Sequence, residues 1–260
     1  MIRSFVPLSG LLRCGALALC LIGGATAHAA SLLLDDFSAP AAAQTGVAFG
    51  DPSAASSDVV LTDFTPTVLG GVRQSTLNVY GNPLSSISAI SVGAGNLSVA
   101  QGTGVTAEAI VAYGAFTRPT GDPMVGGPLL GLDLSSYTGL TFDFSGSQYG
   151  INVNVTYYTS APLDPGAPLY YSGAGVNIGP ATPGGPLTFD LGVGINPAFN
   201  WQQVDGIVFT INRAGGEAGA SYTLDTLTFT TAVPEPHSLA LLLAGLGVVV
   251  SVARRRAAAT

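Results

Sequence analysis

The stretches Leu140-Thr-Phe-Asp-Phe-Ser145 and Ile151-Asn-Val-Asn-Val-Thr-Tyr-Tyr158 alternate between apolar and polar residues. This period of two predicts β-strands that place one face against a core and the other toward solvent. Residues 207–211 and 224–230 repeat the pattern. Weaker versions of it predict further strands at residues 32–37, 59–63, 71–79, 86–92, 96–100, 108–113, 169–172 and 187–191.

The segments between these patterns are short and rich in Gly, Pro, Asn and Ser, and none of them has a long helical period. Many short strands with such turns predict an all-β fold, a β-sandwich or jelly roll. Residues 118–128, 161–168 and 179–186 are predicted to be loops, because Pro disfavours central strands. The alanine-rich residues 39–44 are predicted to be an exposed connection.

The composition excludes several function classes. The 260-residue chain has no Lys, and its Cys and His residues (Cys14, Cys20, His28 and His237) lie outside residues 30–233. The body therefore has no Ser-His-Asp triad, cysteine nucleophile, Schiff-base lysine or His/Cys zinc site. It holds three Arg against 14 Asp and Glu, a net charge of −11, which is a poor match for nucleic acid. Only carboxylate chemistry remains as an enzymatic route, and we expect the protein not to be an enzyme.

The first 29 residues have the pattern of a secretory signal peptide. Arg3 and Arg13 come before an apolar run over residues 14–24. Small residues follow that run at Ala27 and Ala29. This order predicts export through the Sec translocon and cleavage at one of the two alanines, with Ala29 preferred. The alternative is an uncleaved anchor.

The C-terminal end combines three features in a fixed order. Pro234, Glu235 and Pro236 come first, an apolar segment follows over residues 238–253, and Arg254, Arg255 and Arg256 come last. The 16-residue segment is about 24 Å long as a helix, short for a hydrocarbon core of about 30 Å, but flanking Arg side chains extend its reach. The Arg cluster predicts a single transmembrane helix whose C-terminus is cytoplasmic.

This order of features resembles the PEP-CTERM family of bacterial sorting substrates. The resemblance implies that a membrane-embedded exosortase cuts at Pro234–Pro236 and releases or re-anchors the body. It also implies a place in an extracellular matrix that contains exopolysaccharide. The same tail is sometimes labelled an ice-binding protein C-terminal domain, a name that assigns no activity. The alternative is a plain membrane anchor that is never processed.

Residues 34–37, 132–142 and 224–229 resemble carbohydrate-binding-module jelly rolls of the galactose-binding-like class. Domains of that class often tie their first and last strands with a structural Ca²⁺. The resemblance implies a calcium site at Asp35 or Asp36 together with Asp225, because Ca²⁺ takes oxygen ligands. The alternative is that these carboxylates are solvated or cap turns, with no cofactor bound.

Aromatic residues are the candidates for glycan contact. Trp201 is the only Trp and has Asn200, Gln202 and Gln203 beside it, while Tyr157 and Tyr158 place one ring on each face of a strand. A sugar ring needs an apolar platform with polar neighbours, which such rings supply. The alternative for Trp201 is a packing role at the end of the sandwich.

We therefore expect a signal peptide over residues 1–29, a β-sandwich ectodomain over residues 30–232 and a sorting signal over residues 233–260. The predicted function is that of an exported, non-catalytic component of the cell surface or matrix that associates with exopolysaccharide. The alternatives are a dedicated carbohydrate-binding module and a carboxylate-based glycan hydrolase or lyase.

If Pro234–Pro236 is a processing site, the intact mass of the extracellular protein should correspond to a chain that ends close to that motif. The physical reason is that the apolar segment and Arg cluster stay in the membrane after cleavage. Mass spectrometry of the secreted fraction makes the measurement. A secreted product that ends at Thr260 would show that the tail is an unprocessed anchor.

Overall fold

A computed structural model of the chain describes residues 30–40, 43–49, 57–64, 68–117, 123–147, 150–172, 176–178, 185–191, 196–212, 216–231 and 246–247. Residues Ser31–Thr231 form one compact unit. This unit is an antiparallel β-sandwich of two sheets. The all-β prediction for the body is therefore confirmed.

The first sheet has seven strands within the described residues, in the order β13-β9-β15-β6-β5-β2, with β1 beside β15. The last strand, β15, lies at the centre. β9 pairs along one of its edges, while β6 and β1 pair with its first and second halves on the other edge. The strands are β1 (Ser31–Asp35), β2 (Gln44–Phe49), β5 (Ile87–Gly93), β6 (Asn96–Ala100), β9 (Gly139–Ser147), β13 (Gly185–Asp190) and β15 (Ser221–Thr230).

The second sheet has eight strands within the described residues, in the order β11-β10-β14-β7-β4-β3. Two short strands extend it, since β12 pairs with β10 and β8 pairs with β7. The strands are β3 (Ser57–Phe64), β4 (Val72–Gly81), β7 (Thr106–Thr117), β8 (Pro123–Gly126), β10 (Ile151–Tyr158), β11 (Tyr170–Ser172), β12 (Val176–Ile178) and β14 (Gly206–Ile211).

The core lies between the two sheets and is formed by the alternate residues of their strands. Phe142 of β9 meets Phe209 of β14 across the interface, with ring centroids 5.3 Å apart in an edge-to-face arrangement. Phe189 of β13 adds a second edge-to-face contact at 4.8 Å. Such aromatic pairs stabilise the packing beyond the burial of their apolar area. The alternating pattern that predicts these strands also predicts which of their residues point into the core.

Every strand predicted from alternation is present, but three strands were not predicted. β2 begins at Gln44, where the alanine-rich connection was expected to end, and β12 lies where no strand was expected. β8 falls inside the predicted loop at residues 118–128, and this prediction was wrong. Pro123 is the first residue of β8, a position where the missing N–H is tolerated.

The two ends of the chain lie almost wholly outside the described residues. This applies to the signal segment with Ala27 and Ala29, to Pro234, Glu235 and Pro236, and to the Arg cluster. Only Leu246 and Gly247 of the predicted transmembrane segment are described, and both are helical. The described part of the chain contains no helix that is long and apolar enough to cross a membrane.

A buried cluster of charged and polar side chains joins the sheets at one end. Arg73 of β4 is fully buried, and its guanidinium binds Asp35 of β1 at 2.7 Å and Asp63 of β3 at 2.8 Å. Tyr113 of β7 donates its hydroxyl to Asp35 Oδ2 at 2.6 Å. Because Asp35 belongs to the first sheet and the other three to the second, this Arg73 cluster ties the sheets together.

Each group in the Arg73 cluster depends on the others. The guanidinium also donates to the carbonyl of Ala39 and stacks over the ring of Phe37, 5.2 Å from its centroid. Burial, and then the negative charge of Asp35, raise the pKa of Tyr113 well above its usual range, so its hydroxyl stays a donor. A buried charge without its partner is strongly destabilising.

Replacing one acid of the cluster should therefore be costly. We expect Asp35→Ala to lower the free energy of unfolding by about 3–5 kcal/mol, because it leaves Arg73 only partly neutralised in the core. Urea unfolding followed by far-UV circular dichroism measures this change. The control is Asp36→Asn, since the neighbouring Asp36 accepts hydrogen bonds from Ser38 and from its own backbone, and an amide oxygen can accept them as well. Equal stabilities of the two variants would contradict the assigned role of Asp35.

Candidate functional site

The side chains of the second sheet that point away from the core form a continuous outer face. They alternate with inward residues such as Leu77, Val111, Phe209 and Val155, which lie in the core. Amides and hydroxyls predominate. We call this surface the outer face, and it consists of Gln74, Thr76 and Asn78 on β4, Glu108, Ile110 and Ala112 on β7, Val208 and Thr210 on β14, and Asn152, Asn154, Thr156 and Tyr158 on β10.

Strand register arranges the outer face in rows. One row runs Gln74–Ala112–Val208–Thr156 across four adjacent strands, and the next runs Thr76–Ile110–Thr210–Asn154. Adjacent strands lie about 4.8 Å apart, so each row is about 14 Å wide. Both rows have polar side chains at their two ends; the first has Ala112 and Val208 between them, and the second has Ile110 and Thr210.

The middle of the outer face is apolar and buried. Ile110, Ala112 and Val208 pack with Val72 and Tyr158 in a small cluster that is separate from the interior core. Ile110 is 6% exposed and Val208 is 5% exposed, while Val60 and Thr62 on the neighbouring edge strand are exposed. Neighbouring groups therefore cover the apolar middle of the outer face, and its accessible surface is the polar side chains around that middle.

A tyrosine pair lies at one end of the outer face. Tyr158 of β10 is directly opposite Tyr170 of β11, and their ring centroids are 6.3 Å apart. Tyr170 is 47% exposed. The pair therefore places aromatic surface beside the hydroxyls and amides of β10.

The other two aromatic candidates lie in the core. Trp201 is 4% exposed and Tyr157 is 2% exposed. The Trp201 ring packs edge-to-face against Tyr157, Tyr171 and Phe199 at centroid distances of 5.1, 5.4 and 4.9 Å. Its Nε1 donates to the carbonyl of Asn196 at 3.1 Å. The structure supports the packing interpretation of Trp201, and of the three predicted contact residues only Tyr158 faces outward.

Each of the predicted calcium ligands accepts hydrogen bonds from groups of the chain. Asp35 Oδ2 accepts bonds from Arg73 and Tyr113, and its Oδ1 accepts the Phe37 amide at 2.8 Å. Asp36 accepts the Ser38 amide, and Asp225 accepts a bond from Ser145 Oγ at 3.1 Å. Within the described residues no three acidic, His or Cys side chains are grouped so that they fit a metal ion. The donor set at Asp35 is that of an arginine acceptor, and it does not fit Ca²⁺.

Sequence reasoning did not select most of the outer-face residues. Gln74, Thr76, Asn154 and Thr156 were seen only as the polar half of an alternating pattern. The signal that identifies them is the register between β4, β7, β14 and β10, which brings residues far apart in sequence into common rows.

Comparison with known proteins identifies the tail. Residues 232–257 match the family described as the PEP-CTERM protein-sorting motif. The chain carries a PEP-CTERM sorting motif. This confirms the resemblance seen at Pro234, Glu235 and Pro236, and the motif implies export and sorting by an exosortase. No curated protein matches this chain in sequence.

Solved structures similar to this chain include carbohydrate-binding modules and an endoglucanase. A family 11 carbohydrate-binding module from Clostridium thermocellum, solved with a β-1,3-1,4-mixed-linked tetrasaccharide, is 11% identical with a TM-score of 0.36, over 78% of this chain and 96% of that one. A metagenome-derived family 12 endoglucanase is 12% identical with a TM-score of 0.38, over 73% and 98%. A mutant family 29 carbohydrate-binding module is 15% identical with a TM-score of 0.31, over 68% and 92%.

The burial of Trp201 predicts that its loss affects the fold. Trp201→Ala should lower the free energy of unfolding by about 3–5 kcal/mol, because it removes a ring that contacts three others. Tyr170→Ala, which removes a half-exposed ring from the same neighbourhood, should lower it by less than about 1 kcal/mol. Urea unfolding of both variants makes the comparison. A stable Trp201→Ala protein would mean that the ring is not part of the core.

Proposed function

We propose that this protein is an exported, non-catalytic component of the cell surface or extracellular matrix that binds polysaccharide through the outer face. In this proposal the Sec translocon exports the chain, and the C-terminal helix holds it briefly in the inner membrane with the Arg cluster in the cytoplasm. An exosortase-type protease then cuts near Pro234–Pro236. The sorting motif supports the first part of the proposal.

The composition of the outer face is the observation that carries the binding part. Asn, Gln and Thr side chains each donate and accept hydrogen bonds. A sugar hydroxyl does the same, so the rows of outer-face residues offer complementary partners to a polymer of hydroxyl groups. The half-exposed ring of Tyr170 offers surface for the C–H face of a sugar ring.

The proposal of a non-catalytic role rests on the chemistry available to the body. Residues 30–233 contain no His, Cys or Lys and only two Glu. Glu108 lies on the outer face, buried, with its Oε1 accepting a bond from Asn78 Nδ2 at 3.2 Å. Glu217 is exposed in the turn that follows β14. A glycosidase uses a matched pair of carboxyl groups, and we propose binding rather than turnover.

Co-sedimentation of the full chain, purified in detergent, with the host's own exopolysaccharide tests this function. We expect saturable binding that falls about tenfold when Gln74, Thr76 and Tyr170 are all replaced by Ala, since tenfold corresponds to about 1.4 kcal/mol of lost contacts. The matched control replaces Thr141 and Thr188 by Ala on the opposite face of the sandwich, where they bond each other at 2.9 Å.

The outcomes separate the candidate functions. Binding of a single glycan without any matrix association would indicate a dedicated carbohydrate-binding module. Shortening of the polymer, seen by size-exclusion chromatography, would indicate a hydrolase or lyase. No binding by the wild-type chain, or equal loss in the control variant, would refute the role of the outer face.

A further inference from the structure

Among the body residues whose exposure the structure describes, every exposed or partly exposed charged side chain is an acid. The body contains 14 Asp and Glu residues but only three Arg residues. One of these, Arg73, is fully buried and bound to both Asp35 and Asp63, so its charge is already neutralised inside the fold. Only Arg118 and Arg213 remain in the body to meet a charged ligand.

The acids, in contrast, are distributed over the surface. Seven of those the structure describes are at least partly exposed: Asp36, Asp133, Asp143, Asp164, Asp190, Glu217 and Asp225. With a body net charge of −11, an approaching polyanion is repelled along its whole length, since the summed field acts beyond any single contact.

The outer face itself has the chemistry of an uncharged ligand site. Its polar groups are amides and hydroxyls, and its charged side chain, Glu108, is an acid. Recognition of a uronate, sulfate or phosphate group relies on Arg, Lys or backbone N–H donors. Neutral hydroxyl groups need only the mixed donors and acceptors that the rows supply.

We infer that the polysaccharide bound by the outer face is uncharged, and that polymers rich in uronate or sulfate groups are excluded by the body's negative charge. This inference rests on the proposed glycan-binding function and names the class of its ligand. It also means that the protein is not retained in the matrix by binding to an anionic polymer, regardless of how the sorting tail is processed.

Matched polymers isolate the effect of charge. The probes are β-1,4-, β-1,3- and α-1,6-glucans, each in an uncharged form and in a carboxymethylated form, coupled to beads. The protein is the full chain in detergent, with Arg254, Arg255 and Arg256 replaced by Gln so that the cytoplasmic cluster does not attract the anionic probes. Depletion from solution gives the affinity at 10 mM and 150 mM salt.

We expect at least one uncharged glucan to bind with an affinity that hardly changes with salt. Its carboxymethylated form should bind at least tenfold more weakly at 10 mM salt, and the gap should narrow at 150 mM, where the Debye length falls from about 30 Å to about 8 Å. The triple variant at Gln74, Thr76 and Tyr170 should lose the binding of the uncharged form.

Two different failures are distinguishable. Binding of a carboxymethylated glucan as tightly as its uncharged form at 10 mM salt would overturn the inference and leave glycan binding intact. Failure of every polymer in both forms at both salt concentrations would count against the proposed function and the inference resting on it. Tight binding of the anionic form that depends on added Ca²⁺ would also overturn the inference, since it would show that a bridging cation reverses the selection.

Discussion

The buried guanidinium of Arg73 is the constraint on which the sandwich depends. A charge at 0% exposure is tolerated only when its partners are supplied by the fold, and here they come from both sheets: Asp35 from β1, and Asp63 and Tyr113 from β3 and β7. β1 has no other polar link to the second sheet among the bonds described here. The cluster therefore fixes where the first strand docks, and it does so with the one body arginine that the structure describes. The same burial leaves the surface without that positive charge.

The position of β15 gives the fold a second constraint. It is the last of the described strands and lies at the centre of the first sheet, with Thr230 opposite Ser31 at the start of β1. The two strands that open and close the body are thus neighbours, and the sheet is incomplete until the C-terminal strand is in place. The Pro-Glu-Pro tripeptide begins four residues after Thr230 in sequence, so the proposed cut at Pro234–Pro236 would leave every pairing of β15 intact.

The alternating pattern predicted the strands well because it reports directly on which side of a sheet is buried. The same pattern distinguishes the two tyrosines. Tyr157 has the same phase as Val153 and Val155 and points into the core, while Tyr158 points away from it. Trp201 lies in a turn, where no such phase exists, and its polar neighbours suggested exposure. The pairing of Arg73 with Asp35 spans 38 residues, and the rows of the outer face join four strands. The spacing of residues within a short stretch of sequence predicts neither the Arg73–Asp35 pairing nor the rows. Strands β8 and β12 have four and three residues, too few for a period to appear. Strand β2 turns the small residues Gly46 and Ala48 inward and Val47 outward, so its sequence does not show the usual alternation.

In the proposed function, the acidic body and the uncharged polar groups of the outer face act on a polymer at different ranges. Surface carboxylates keep the exported protein soluble and repel other acidic chains, a long-range effect that weakens with salt. Hydrogen bonds from Asn, Gln and Thr act at contact distance and are little affected by salt. The long-range field decides which polymers approach, and the outer face then selects among those that carry no charge. Because the two effects differ in range, salt concentration separates them experimentally, whereas removal of a single residue does not.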